Sequence, residues 1–482
     1  MTGFFGLDGR SGRDGMAAAA AIAAGRCRPE DLIAWLEDAH AALNPRLGLT
    51  TVFDPAAARA ALRRGGVPGG SPLAGLPWLL KDMTLFCAPW PTSNGLAALA
   101  SLPVPGDSLI VSRGRAAGLL PCGKTAVPEF GFSISSVSPV HGTTRNPWDP
   151  ARAAGGSSGG AAAAVAARLV PFAHASDGAG SIRVPAAFCG VFGFKPSRGR
   201  TSYAPYLGDV WQGLASEGVI SLSVRDAAAY LDILCGPAPG DPYALPDRAD
   251  LLAAAGAAEL GRPRIGLITD EGPLATDPAL AAAVTELARE LEAAGARIAE
   301  VSFTHDFAAI SDAFLTLAAA EAAAAIAAVE EATGTPFDLA TLSPVVAGLI
   351  EAGRRMPAPA LARAQEALRI AARVIAGSCA DGDLLLLPAV PRAAPAADAF
   401  PFSNPDWRAH AEAVLAWLFF TLPFNVSGQP AASLPGVFDA AGMPLGIQLV
   451  ARRGEDARLM AAAAWIERKR EWRSPRPPLS AA

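Results

Sequence analysis

Cysteine and histidine are scarce and scattered in this chain of 482 residues. The six cysteines, Cys27, Cys87, Cys122, Cys189, Cys235 and Cys379, contain no Cys-x-x-Cys, and the five histidines, His40, His141, His174, His305 and His410, show no metal-ligand spacing. A zinc ribbon and a disulfide framework are therefore excluded, and the thiols read as reduced and mostly buried, as in a cytoplasmic protein. Basic charge is not in surplus either: 40 Lys and Arg stand against 45 Asp and Glu, a formal net charge of −5. Nucleic acid and anionic lipid need a basic face, so neither is an expected partner. Long apolar runs are wanting too, since charge or proline interrupts each within fewer than the ~20 residues of a membrane span. The run Met16 to Ala24 follows Arg10 and Arg13 as a secretory leader would, yet it is almost all alanine and Arg26 and Arg28 follow at once. It reads as a first helix.

What the chain has is an alternation of helix and strand signals. Arg264 to Ile268 reads as a strand. Asp277-Pro278 then starts a helix with Leu280, Val284, Leu287 and Leu291 on one face, which Gly295 stops, and Ile298 to Phe303 returns as a strand. Pro29 to Leu43 reads as an early helix ended by Asn44-Pro45, Leu384 to Leu387 as a buried strand, and Leu317 to Glu331 and the stretch through Ala380 as helices laid over a sheet. Length alone suggests about three domains. The absence of any long flexible linker, with only Pro-rich connections near Pro237 to Pro246 and Pro388 to Pro401, argues instead for one large α/β domain.

Two serine- and glycine-rich segments carry the chemistry, Gly155-Gly156-Ser157-Ser158-Gly159-Gly160 and Asp177-Gly178-Ala179-Gly180-Ser181-Ile182-Arg183. A serine in such a turn can face a substrate while neighbouring N–H groups converge on one point, the geometry of a nucleophile with an oxyanion hole. Most Gly/Ser runs are linkers, but the small apolar segment Ala161 to Val170 ties this one to a buried helix. A serine hydroxyl needs a base, and histidine is not the only one available. Lys81 ends the apolar run Leu76 to Leu80, where burial lowers a lysine pKa toward the working range. The plainer alternative is a lysine paired with Asp82. His174, seven positions before Ser181, permits a histidine-based triad without indicating one.

One competing motif is Gly118-Leu119-Leu120-Pro121-Cys122-Gly123-Lys124-Thr125, which fits the phosphate-binding P-loop pattern residue for residue. Its context argues against nucleotide binding. A P-loop leaves a strand and runs into a helix, whereas Gly118 reads as a helix end and Pro128 interrupts the residues after Thr125.

The chain resembles the amidase signature hydrolases through Gly75-Leu76-Pro77 to Lys81-Asp82, Gly123-Lys124-Thr125, Pro128-Glu129-Phe130-Gly131 and Arg145-Asn146-Pro147-Trp148. The resemblance continues through the two serine segments, Gly193-Phe194-Lys195-Pro196, Gly199-Arg200, Pro423-Phe424-Asn425 and Gly428-Gln429-Pro430. It implies a single amidase-signature domain over 1–482, with a central twisted mixed β-sheet covered on both faces by α-helices. Its core would lie at about 60–235 and 380–470, and a variable helical region at about 240–380 would shape the substrate pocket.

The resemblance also implies roles. Ser181 is the acyl-accepting nucleophile, Ser157 the bridging serine on a cis peptide and Lys81 the terminal base, with no metal or cofactor. The N–H groups of Gly178, Ala179, Gly180 and Ser181 form the oxyanion hole, and Asp177 and Arg183 hold the turn. Ala179 departs from the Gly-Gly common in the family, and Ser176 from its usual threonine. With Ala173-His174 and Phe424 to Pro430, the turn looks most like the 6-aminohexanoate-cyclic-dimer hydrolase branch. Phe132 replaces an amide side chain there, so an apolar acyl pocket is expected; core packing is the plainer role for a phenylalanine. The implied activity is hydrolysis of a carbon–nitrogen bond other than a peptide bond, in a small amide or a carbamate, by a monomer or homodimer. The alternative is the amidotransferase subunit that shares fold and triad; it takes glutamine and needs partner subunits.

Overall fold

A computed structural model describes residues 14–245, 250–257, 259–303, 305–377, 382–470, 472 and 475–481. Arg10, Arg13, Pro246, Cys379 and Ala380 lie outside the described residues. The frame is an eight-stranded mixed sheet in the order Arg297–Glu300, Arg264–Leu267, Leu384–Pro388, Pro444–Ala451, Ala431–Phe438, Phe192–Lys195, Ser216–Ser221 and Phe172–Asp177. The first three strands run parallel and the remaining pairings are antiparallel. Leu384–Pro388 shows why both faces are covered. Leu384 and Leu386 pack into one apolar cluster while Leu385 and Leu387 pack into another, as the two-residue period of a strand requires.

The first cluster takes in Trp78, Leu80 and the fully buried helix Gly159–Ala166, and the second takes in helices Phe307–Thr333, Pro344–Arg354 and Trp407–Trp417. A three-stranded sheet, Thr50–Phe53, Leu120–Thr125 and Pro77–Lys81, lies against the end of the large one. Lys81 N–H donates to Nδ1 of His174 on Phe172–Asp177 at 3.4 Å. That contact brings the end of Pro77–Lys81 beside the strand leading to Ser181.

Several elements differ from the sequence expectation. The early helix spans Pro29–Leu47, passing through Pro45. Pro45 sits in the last turn, so only one helical bond is missing, while Leu43 and Leu47 are buried. Asn44 closes the helix, its side chain accepting from Leu49 N at 2.7 Å. The returning strand is short, Arg297–Glu300, because Phe303 N–H turns aside to Asp270 Oδ2 at 2.7 Å. One helix, Phe307–Thr333, is long and apolar enough to cross a membrane by length and composition, contrary to the expectation that every apolar run is broken sooner. Half of its most apolar window is packed inside the protein.

Other expectations hold. Asp277 caps Pro278–Ala293, Met16 to Ala24 falls on the helix Gly15–Ala23, and Cys87, Cys122, Cys189 and Cys235 are buried free thiols. Cys27 is half-buried and free. The P-loop-like segment follows the helix Leu109–Ala116 and becomes strand Leu120–Thr125. Lys124 lies fully buried there, donating to Pro91 O at 2.8 Å and standing 3.5 Å from Asp82.

Candidate active site

Lys81 ends a strand whose five residues are all buried, so its ammonium can be satisfied only by neighbours. Its Nζ donates to Ser157 Oγ at 2.8 Å, Ser176 Oγ at 2.9 Å and Ser176 O at 3.2 Å. Burial lowers its pKa to about 8, against the opposing pull of the Glu217 and Asp177 carboxylates. Asp82, the partner of the plainer alternative, instead accepts from Ser93 N at 3.0 Å and lies beside Lys124. Ser157 follows a cis peptide bond at Gly156–Ser157, just before the helix Gly159–Ala166. Ser158 N–H donates to Ser181 O at 3.2 Å, and Ser158 Oγ to Ser176 O at 3.2 Å, so the two serine turns lie side by side.

The turn after Phe172–Asp177 is built around one carboxylate. Asp177 accepts from Gly180 N at 2.7 Å, Ile182 N at 3.1 Å, and both Nε and Nη2 of Arg183 at 2.9 Å. Burial pushes its pKa up, but the charge and hydrogen bonds of Arg183, then Lys195 and Asn425, hold it well below the usual carboxylate range. Arg183 also donates to Thr421 O at 2.9 Å and Gln448 Oε1 at 2.8 Å, and Asn425 Nδ2 donates to Asp177 O and Oδ1, each at 2.9 Å. Thr421 Oγ1 donates to Ala179 O at 2.7 Å.

This arrangement corrects one expectation. The Gly180 N–H is taken by Asp177, because the φ of +141° at Gly180 turns its amide back toward that carboxylate. Among the described residues, no acceptor faces the N–H groups of Gly178, Ala179 or Ser181. Ala179 does not share the positive φ of Gly180, so alanine fits where a second glycine was the commoner choice.

Ser181 is half-buried and opens on a narrow cavity of about 40 Å³ lined by Phe132, Trp211, Phe314, Leu415 and Leu418 among others. None of the lining side chains is charged, and Phe132 lies in the wall while also packing into the second apolar cluster. The region at about 240–380 supplies Phe314 and Leu315 on Phe307–Thr333; much of the remaining wall comes from Trp407–Trp417 and Leu418, outside it. His174 is directed elsewhere, its Nε2 3.0 Å from Glu217. No sequence motif marks Thr421, Gln448, Trp211 or the helix Trp407–Trp417. Asn425 lies in a family-like motif whose sequence assigns it no role, and Ser176 is marked in the sequence only by its departure from threonine.

The strand-borne lysine, the paired serine turns and the eight-stranded mixed sheet define an amidase-type hydrolase, and residues 31–460 match the model of the Amidase family. The chain belongs to that family and is a hydrolase of amides. It is 34% identical over 460 residues to the 6-aminohexanoate-cyclic-dimer hydrolase of Paenarthrobacter ureafaciens, covering 91% of each chain. The structure of 6-aminohexanoate cyclic dimer hydrolase complexed with substrate superposes with a TM-score of 0.91 at 33% identity, covering 97% of this chain and 98% of that one. A bacterial aryl acylamidase of the amidase signature family gives 0.85 at 26% identity, covering 97% and 99%.

Proposed function

We propose that the protein hydrolyses a small, uncharged amide or carbamate through an acyl-enzyme on Ser181, with Ser157 and Lys81 as its proton relay. The observation that carries this reading is the 2.8 Å contact between Lys81 Nζ and Ser157 Oγ, in a segment bonded to the Ser181 turn. A neutral amine has two N–H groups and one lone pair. Ser176 O and Oγ are placed to take the two hydrogens, which leaves the lone pair for the Ser157 proton.

Ser181 Oγ attacks the carbonyl carbon, its proton moves to Ser157 Oγ, and the Ser157 proton moves to Lys81 Nζ. The carbonyl π pair becomes an alkoxide at the N–H groups of Gly178, Ala179 and Ser181, each such donor being worth on the order of 3 kcal/mol. Collapse breaks the C–N bond as the relay runs backward and protonates the amine. Water then repeats the sequence on the ester. Asp177 and Arg183 touch no reacting atom and hold the turn.

Glutamine fits poorly, because its ammonium and carboxylate would enter a cavity with no charged side chain to meet them. The test is kcat/KM of the purified chain on a nitroanilide, a linear aliphatic amide, a cyclic diamide, an aryl carbamate and glutamine, each beside Ser181→Ala. Turnover of an uncharged member that vanishes in Ser181→Ala is expected. Turnover of glutamine alone, or activity surviving in Ser181→Ala, overturns the reading.

A further inference from the structure

One wall of the cavity rests on a backbone conformation that side chains seldom adopt. Trp211, Gln212 and Gly213 follow one another at φ of +55°, +52° and +77°, all in the left-handed region. The surroundings hold them there. Gln212 Nε2 donates to Glu321 Oε1 on Phe307–Thr333 at 2.8 Å, Tyr243 Oη donates to Gln212 O at 3.2 Å, and Asn425 Nδ2 donates to Leu214 O at 3.1 Å.

The indole of Trp211 is thereby laid against Gly178. A Cβ at Gly178 would come within 2.8 and 3.0 Å of two carbons of the ring, so only glycine fits beneath it. Trp211 also meets Phe314 edge to face, with ring centroids 5.4 Å apart. It forms a fixed wall beside the turn that carries Ser181, with Phe132 also lining the cavity.

We propose that Trp211 is a specificity-determining residue of this site and limits the acyl half of the substrate to a compact, uncharged group. This rests on the reading of Ser181 as nucleophile. Rings of Phe132, Trp211 and Phe314 offer edges and faces to an aryl group. A long flexible chain would have to displace the indole, which the left-handed triplet and the Glu321 hydrogen bond oppose. A carboxylate-tipped chain would lose its water with no cation among the lining residues to replace it.

The experiment compares the benzoyl, isobutyryl, decanoyl and 3-carboxypropanoyl 4-nitroanilides on the full chain and on Trp211→Ala, Trp211→Phe and Ser181→Ala. In the parent chain, benzoyl and isobutyryl are expected to exceed the other two in kcat/KM by about tenfold or more. Trp211→Ala is expected to cut the benzoyl-to-decanoyl ratio by about tenfold, chiefly by lowering KM for the decanoyl amide, while Trp211→Phe keeps it within about threefold. Should Trp211→Ala fail to fold, Phe314→Ala opens the same wall and is read for the same change.

An unchanged ratio in a folded variant, a parent chain that favours the decanoyl or charged amide, or no turnover of any of the four overturns the proposal. Loss of activity in Ser181→Ala with an unchanged ratio sinks this inference alone. Activity retained in Ser181→Ala sinks the parent reading.

Discussion

Ser181 stands between two regions that fix their residues by different means. On one side the turn Asp177 to Arg183 is held by directed hydrogen bonds: Asp177 gathers Gly180, Ile182 and Arg183, and Arg183 reaches Thr421, Gln448 and Asn425. On the other side Phe132, Phe314, Leu415 and Leu418 are held by apolar packing on separate helices and loops. Hydrogen bonds fix angle as well as distance, which chemistry at a carbonyl carbon demands. Apolar packing fixes volume and tolerates substitution of similar size, which suits a surface that selects substrates. Lys81 sits at the end of a strand and Ser157 and Ser181 in tight turns, whereas Phe314 and Leu415 sit on helices.

The sharpest way to break this comparison is to remove the proposed nucleophile. Ser181→Ala is expected to lower kcat by about 10⁴-fold or more, while leaving the thermal midpoint unchanged within error, because no hydrogen bond of its side chain contributes to the frame among the described residues. Steady-state kinetics and calorimetry on one preparation check both halves. Lys81→Ala comes next, with a loss of about 10³-fold in kcat/KM.

The pH profile of the unaltered chain tests the same residue. A base must be neutral to accept a proton, so kcat/KM should rise with pH and level off, with a midpoint near the lysine pKa of about 8. A midpoint near the ordinary lysine value of 10.5 would show that the group titrating is not buried as Lys81 is.

The frame itself is expected to fail through stability. Arg183→Met leaves the Asp177 carboxylate buried without its cation, which costs about 3–5 kcal/mol, read as a lower midpoint in urea unfolding. The loss should shrink at acid pH only when Asp177 takes a proton. In the intact protein its pKa is held well below the usual carboxylate range, so folding draws stability from the pair above that range and loses it as pH falls. The variant should lack that dependence.

The two regions were unequally legible in the sequence. Lys81, Ser157 and Ser181 lie in short Gly-, Ser- and Asp-rich runs, because tight turns and close backbone approach restrict which residues fit. Lysine usage is a further signal. Only Lys81, Lys124, Lys195 and Lys469 are lysines among 40 basic residues, and the first three are buried. In a chain that otherwise chooses arginine, a buried lysine marks a place where a compact or deprotonatable cation is required.

The hydrogen bond of Gly180 to Asp177 was not legible, since a glycine-rich run does not say which N–H groups turn inward. Nor was the wall. Trp211 and Leu415 come from segments about two hundred residues apart, and packing between distant apolar residues leaves no spacing pattern in the chain. Helix and strand existence was readable from periodicity. The end of Pro29–Leu47 was not, because burial of Leu47 outweighed the proline.

The smallest expected effect concerns Ser176, which touches Lys81, the proposed base. Its Oγ accepts from Lys81 Nζ at 2.9 Å, and its carbonyl accepts at 3.2 Å. Removing the hydroxyl takes away one acceptor that stabilises the charged lysine. The lysine pKa should fall further below 8, moving the rising limb of kcat/KM to lower pH. The freed amine is also less well aimed at Ser157, so the plateau should drop by about fivefold to tenfold, the equivalent of one hydrogen bond of about 1 kcal/mol. Ser176→Ala measured from pH 6 to 10 reads both changes, and Ser176→Thr, which restores a hydroxyl at the same carbon, should return both. A lower plateau with an unmoved limb would mean that Ser176 only packs beside Lys81, and the division between a hydrogen-bonded frame and an apolar wall would then stop short of the base.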